Sequence, residues 1–364
     1  MSKSNNECHD CGKRFNFFSP AQKCSNYEQC GNTICKKCLE SHPLVLQSTS
    51  QHDSQNEDTR KEPLKVQCFC TSCFHEKSVL DFAKTFDVIE PTKQDGGNAD
   101  ANADGTSVQP SGIVFIFGHG GGGSRAMFRP HAQVLAQKFG HKCILLDFPG
   151  HGTAVKVPLD LNSCSDALTN VLQENNILPK DQGGKTIYIG ASFGAYVGFH
   201  ILQQHKEYFS GAILLDCGQN VGPGASLKAR LGLWFLRQMG NLLSNKGLME
   251  AMMGVTKKSH ADYHLVESTY GAGMFFDQAT AQVRCLEQVE PASLIAKIPF
   301  PMLFMNGMED YRDSEEKWLS LCVDRDHSEL KDYEHGDHFF THDSRFVQDM
   351  LSRWDVFSRT VVVQ

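Results

Sequence analysis

The stretch that most constrains this chain is Thr186–Ile201, TIYIGASFGAYVGFHI. A short apolar run rich in β-branched residues leads into Gly190-Ala191-Ser192-Phe193-Gly194, and an apolar, helix-compatible segment follows at once. Strand, tight turn and helix in that order are the setting in which G-x-S-x-G forms an elbow, with the serine hydroxyl projecting from the sheet edge. A side chain two residues to either side would crowd the strained turn, so glycine is wanted at both places. Ser192 is therefore the candidate nucleophile. A neutral serine needs a base to take its proton and a third group to orient that base.

The chain of 364 residues is long enough for one large domain and a small module. Its formal charge of -7 argues against a general nucleic-acid binder. The polar start, MSKSNNECHDCGKRF, lacks an apolar signal core, and no apolar run approaches the roughly 20 residues that span a bilayer. A cytoplasmic protein, or one peripheral to an endomembrane, is expected. Nine of the fourteen cysteines lie between Cys8 and Cys73. With no export signal, that clustering reads as metal ligation more readily than as disulfides.

The cysteines run Cys8-x2-Cys11, Cys24, Cys30, Cys35-x2-Cys38, then Cys68, Cys70 and Cys73. C-x2-C pairs suit zinc because one tight turn aims both thiolates at a tetrahedral ion. Two four-ligand sites need eight ligands, and Cys8, Cys11, Cys24, Cys30, Cys35, Cys38, Cys70 and Cys73 supply them. Cys68 competes with Cys70, and His9, His42 and His75 are substitutes. A module of residues 1–78 buries too little apolar surface to fold unaided, so the metal would supply its folding free energy. Removing the metal is then expected to unfold the module and spare the rest.

Cys8-His9-Asp10-Cys11, the aromatic patch Phe15 to Phe18 and Cys30-Gly31-Asn32-Thr33-Ile34-Cys35-Lys36-Lys37-Cys38 resemble FYVE and related RING-like fingers. The resemblance implies a cross-brace, with Cys8, Cys11, Cys35 and Cys38 on one ion and Cys24, Cys30, Cys70 and Cys73 on the other. That family's basic, phosphoinositide-gripping run is replaced here by Ser19-Pro20-Ala21-Gln22-Lys23-Cys24. The expectation is therefore a structural module holding two zinc ions, with an unidentified protein or membrane partner.

Residues 79–111 read as a linker, with Ser78–Glu90 open between edge strand and short helix. From Ile113 onward, short apolar runs recur without polar alternation, as expected of strands covered on both faces. They are 113–117, 143–147, 186–189, 212–216 and 302–305. Helical patterns lie between several of them, which gives an α/β fold with a mainly parallel sheet.

The first run ends in Gly118-His119-Gly120-Gly121-Gly122-Gly123 and the second in Asp147-Phe148-Pro149-Gly150-His151-Gly152, with the serine turn third. In that order the three resemble the α/β-hydrolase superfamily over residues 112–364. The absence of Lys-Ser/Thr after Gly123 argues against a P-loop. The resemblance implies the chain order nucleophile, acid, histidine. Asp310, in Asn306-Gly307-Met308-Glu309-Asp310, fits the acid, with Glu309, Asp313 and Asp216 as rivals. His338, after Gly336-Asp337, fits the base, with His335 and His342 close by; its pKa is expected near neutrality. The resemblance also implies that the backbone amides of Gly121 and Phe193 hold an oxyanion.

Residues 221–297 are too long for a simple crossover, and the resemblance implies that they form a helical cap. Its Met249, Met252, Met253, Met274, Phe275 and Phe276 either contact an apolar acyl group or pack the cap. The expected activity is hydrolysis of a carboxylic ester or thioester of a small-molecule or lipid-like acyl compound, with no catalytic cofactor. The alternative is an inactive hydrolase-fold adaptor acting through its zinc finger.

Overall fold

A computed structural model describes residues 7–10, 13–15, 21–46, 65–77, 84–91, 109–242, 245–256, 262–310 and 315–363. The cysteine-rich part contains β1 (Ala21–Lys23), α1 (Tyr27–Cys30), β2 (Thr33–Cys35), α2 (Lys36–Glu40), β3 (Pro43–Leu46), β4 (Lys65–Cys68) and α3 (Thr71–Lys77). Strands β1 and β2 pair antiparallel, as do β3 and β4.

The rest is built on a seven-stranded sheet. Along the chain come β5 (Phe86–Ile89), β6 (Val114–Gly118), α4 (Arg129–Phe139), β7 (Lys142–Leu146), α5 (Leu161–Glu174), β8 (Thr186–Ala191), α6 (Phe193–Gln204) and β9 (Phe209–Leu215). Cap helices follow: α7 (Leu227–Leu242), α8 (Asn245–Thr256), α9 (Tyr263–Tyr270), α10 (Ala279–Gln288) and α11 (Pro291–Ile295). Then come β10 (Met302–Gly307), α12 (Glu315–Leu321), β11 (Glu329–Tyr333) and α13 (Ser344–Val361). The strand order is β11-β10-β9-β8-β6-β7-β5, parallel except for β5, which runs antiparallel to β7. The stretch 79–111, expected as a linker, thus contributes an edge strand. Phe86 is its buried residue, and the rest of the strand is only partly covered, which is why its short pattern left strand and helix open.

Strands β8, β9 and β10 are buried at every position. Successive side chains enter opposite layers. Ile116, Ile144, Tyr188 and Leu214 face Phe199 of α6 and Trp318 of α12, whereas Phe115, Leu145, Ile189 and Ile213 face Leu135 of α4 and Trp354 of α13. This two-sided burial accounts for the unbroken apolar runs. No described helix is long and apolar enough to cross a membrane.

The cysteine-rich part packs on the cap. Leu44, Phe69 and Phe74 share a cluster with Ala126, Ala272 and Phe275. Gly273 adopts φ +101°, and a Cβ there would lie 2.8 Å from the Phe74 ring, so the cap loop passes directly under that ring.

Candidate active site and cysteine clusters

Ser192 occupies the turn between β8 and α6 with φ 48° and ψ −113°, outside the regions where L-residues are at ease. Its amide donates to the Leu215 carbonyl at 2.8 Å. The flanking glycines answer to the two contacts that make the turn possible. A Cβ at Gly190 would lie 2.7 Å from the Gly194 carbonyl oxygen, and one at Gly194 only 2.3 Å from that of Gly118.

His338 Nδ1 donates to Asp310 Oδ2 at 2.8 Å, and its Nε2 lies 3.1 Å from Ser192 Oγ. The three residues come from the loops after β11, β10 and β8. Of the rivals, Glu309 approaches His335 at 3.5 Å. His342 is buried beside Thr269, 2.8 Å away. Asp313 lies outside the described residues.

Asp216 stands closer to the chemistry than its sequence position suggested. Its carboxylate, that of Asp310 and the His338 ring nitrogen lie within 4.8 Å of one another. Burial pushes the Asp216 carboxyl well up, Asp310 and Asp337 push it further, and His338 opposes them. For His338, whose side chain keeps 42% of its surface exposed, partial loss of solvent works against the charge. The hydrogen bond it donates to Asp310 and the charges of Asp310, Asp216 and Asp337 outweigh that loss, and its pKa rises to about 9. The expectation of a near-neutral histidine gives way because three carboxylates, not one, surround the imidazole.

The glycine loop lies on the serine turn. A Cβ at Gly120 would be 3.8 Å from Ser192 Cβ, and one at Gly121 would be 3.5 Å from Phe193 Cβ. Neither the Gly121 nor the Phe193 amide has a protein acceptor among the described residues. The Phe193 amide also opens helix α6, where unpaired donors favour negative charge.

Two buried histidines hold the loop in place. The His119 Nδ1 donates to the Gly120 carbonyl at 2.8 Å while its Nε2 accepts from the Phe148 amide at 3.1 Å. His151 donates from Nδ1 to the Pro149 carbonyl and accepts at Nε2 from the Gln282 amide at 2.8 Å and from the Gly122 amide at 3.4 Å. Both rings are neutral in this arrangement. Burial lowers the His119 pKa to about 4 and that of His151 to about 3, the latter aided by His119. Asp147 shapes the neighbouring loop by accepting from the amides of Arg125 and Thr153. Roles for His151 and Gln282 were not read from the sequence. Gln282 carries no local signal, because its partner lies 131 residues away.

The cap's methionines and Phe276 turn mostly inward: Met249, Met253, Met274 and Phe276 are buried with Leu248, Val266 and Tyr270.

In the cysteine-rich part, the sulfurs of Cys24, Cys30, Cys70 and Cys73 lie within 4.8 Å of one another, and so do those of Cys8, Cys35 and Cys38. Cys11 lies outside the described residues. Cys68 joins neither group; it lies on β4, where burial raises its thiol to about 11. No histidine joins either group among the described residues; His9 pairs with Asp10 and His42 rests on Phe74. Backbone and amide donors point at the sulfurs, with the Cys70 amide on Cys24 Sγ (3.3 Å), Asn32 on Cys70 Sγ (3.1 Å) and the Cys35 amide on Cys8 Sγ (3.3 Å). Converging thiols that accept N–H bonds form a donor set able to hold metal ions.

Residues 113–354 match the alpha/beta hydrolase family model. The chain belongs to that family. Solved structures share the fold. An esterase from Thermogutta terrifontis is 16% identical, with a TM-score of 0.53, over 69% of this chain and 92% of its own. MenH from S. aureus is 14% identical, with a TM-score of 0.53, over 76% and 98%. A bromoperoxidase from Bacillus anthracis is 11% identical, with a TM-score of 0.57, over 68% and 93%. Comparison with curated protein sequences gave no match. This α/β hydrolase thus carries its cysteine-rich part ahead of the family region.

Proposed function

We propose that this α/β hydrolase is serine-dependent and cleaves a carboxylic ester or thioester of a small-molecule or lipid-like acyl compound through an acyl-enzyme. The observation that supports this most is the continuous hydrogen-bonded line from Asp310 through His338 to Ser192. In its unprotonated form His338 takes the Ser192 proton at Nε2 as Oγ bonds to the substrate carbonyl carbon. The oxyanion then accepts from the Gly121 and Phe193 amides. His338 returns the proton to the departing alcohol or thiol. Water, deprotonated by the same nitrogen, attacks the acyl-enzyme and frees Ser192 and the acid.

The cysteine groups fit two structural zinc ions, one on Cys24, Cys30, Cys70 and Cys73, the other on Cys8, Cys35 and Cys38 with Cys11. Metal bound there would tie β1–β4 and α3 together where the apolar core is small.

A fluorophosphonate probe tests the activity. Labelling of the wild type and none of Ser192→Ala supports it; no labelling of either overturns it in favour of an inactive adaptor. A chain-length series of acyl esters then locates the substrate class.

A further inference from the structure

Helix α7 carries apolar side chains on two opposite sides. Ala229 and Leu233 are buried, and a Cβ at Gly240 would meet Ala279 at 2.1 Å, so this side is pressed onto α10. On the other side Leu227, Leu231, Trp234, Phe235 and Leu242 are 72%, 56%, 53%, 58% and 77% exposed. At 3.6 residues per turn, these five fall within an arc of about 100°. An amphipathic helix that already faces a core has no structural need for a second apolar stripe. A contiguous exposed patch of this kind marks a contact surface.

The charges on the same helix favour one kind of contact. Sequence LKARLGLWFLRQMGNL contains no carboxylate; Lys228 lies on one border of the exposed stripe, with Arg230 and Arg237 on the other. Neither arginine has a carboxylate partner among the described residues. This concentration of cations stands in a chain whose formal net charge is -7. Aromatic and leucine side chains between basic residues suit the boundary between acyl chains and headgroups, where long cationic side chains reach the phosphates while the stripe enters the apolar layer. A second copy of the chain would set these cations against the same cations.

We infer that α7 docks the protein on the surface of an anionic bilayer, with Leu227, Leu231, Trp234, Phe235 and Leu242 in the headgroup–acyl boundary and Arg230 and Arg237 against lipid phosphates. The helix lies one layer from the serine site, since α10 beneath it supplies Gln282 to the glycine loop. The inference goes beyond the proposed reaction and does not depend on Ser192.

The chain supplies its own probe. Of its three tryptophans, Trp318 and Trp354 are 2% and 0% exposed, so Trp234 dominates any emission change on docking. The full-length protein is mixed with phosphatidylcholine vesicles with and without phosphatidylserine, and Trp emission and cosedimentation are followed. A blue shift and cosedimentation with the phosphatidylserine vesicles, weakened by salt, are expected. The paired changes Leu231→Ser and Phe235→Ser, both at exposed positions, should weaken vesicle binding by about tenfold or more while turnover of a soluble ester is unchanged. Arg230→Glu with Arg237→Glu should abolish the preference for phosphatidylserine. An absent shift and absent cosedimentation would overturn the inference. So would a lipid-free dimer in which Trp234 is already shielded, since a second copy would then cover the stripe.

Discussion

The Phe275 amide donates to the Gly122 carbonyl at 2.9 Å, joining the cap to the glycine loop beside Ser192. Two residues earlier, Gly273 lies against the Phe74 ring of the cysteine-rich part. A short run of backbone therefore connects the cysteine-rich part to the loop whose Gly121 amide would hold the oxyanion. Independence of the two parts, expected from the sequence, conflicts with this contact. Chelation should consequently lower ester turnover as well as unfold the module, because the 271–275 loop loses the surface it packs on. Parallel near-UV circular dichroism and turnover during chelator titration check this. Phe74→Ala should reproduce part of the activity loss with metal content retained; full activity after complete metal removal would show that the loop stands by itself.

Gly194→Ala tests the serine turn. Its added methyl would meet the Gly118 carbonyl at 2.3 Å, and backbone on both sides leaves no flexible neighbour to yield. Overpacking at such a site costs about 1–3 kcal/mol, and the turn geometry goes with it. A lowered melting temperature and turnover reduced by about a hundredfold are expected. Gly232→Ala is the control, since a Cβ there meets nothing within 4 Å.

What was legible in the sequence is what local backbone geometry demands. Gly190 and Gly194 are required by contacts the turn makes with itself and with β6, and the apolar runs follow from burial on both faces of the sheet. The convergence of Ser192, Asp310 and His338 could be anticipated because each follows a strand of one parallel sheet, so all three reach the same edge. Less legible was anything decided by distant packing. Gln282 meets His151 because α10 folds over the loop, and the Phe74–Gly273 contact joins two parts whose motifs do not mention each other. Asp216 could be read only as a rival to Asp310 for the acid; that both carboxylates stand beside one imidazole is decided by how the neighbouring loops pack.

Asp216 gives a prediction about redundancy. Its carboxylate shares the 4.8 Å group with His338 and Asp310, and its Oδ1 is buried without a hydrogen-bond partner. When Asp310 is replaced by Asn, the buried carboxylate is left to orient and neutralise the imidazolium. Losing the acid of such a triad costs on the order of 10⁴ in turnover. Here Asp310→Asn should keep about tenfold or more activity above that full loss, and adding Asp216→Asn should remove what it keeps. Steady-state turnover of the two single variants and the double variant measures the coupling. Additive losses would mean that Asp216 does not assist.

The pH profile follows from the direction of the His338 shift. Only the unprotonated imidazole accepts the Ser192 proton, and the carboxylates around it raise its pKa to about 9. In the free enzyme, kcat/KM should therefore climb through the neutral range and level off only above about pH 9, rather than near the 6.5 of an unperturbed histidine. Removing a negative charge destabilises the imidazolium. Asp337→Asn, which leaves the hydrogen bonds at Asp310 and Ser192 in place, should thus move the rising limb to lower pH. Since Asp337 is the smallest contributor to the upward shift, the displacement should be smaller than that produced by Asp310→Asn. Profiles of kcat/KM for the wild type and both variants, with a soluble ester at fixed ionic strength, check the sign and the ranking. A wild-type limb centred near 6.5 would mean that the three carboxylates do not act on His338 together.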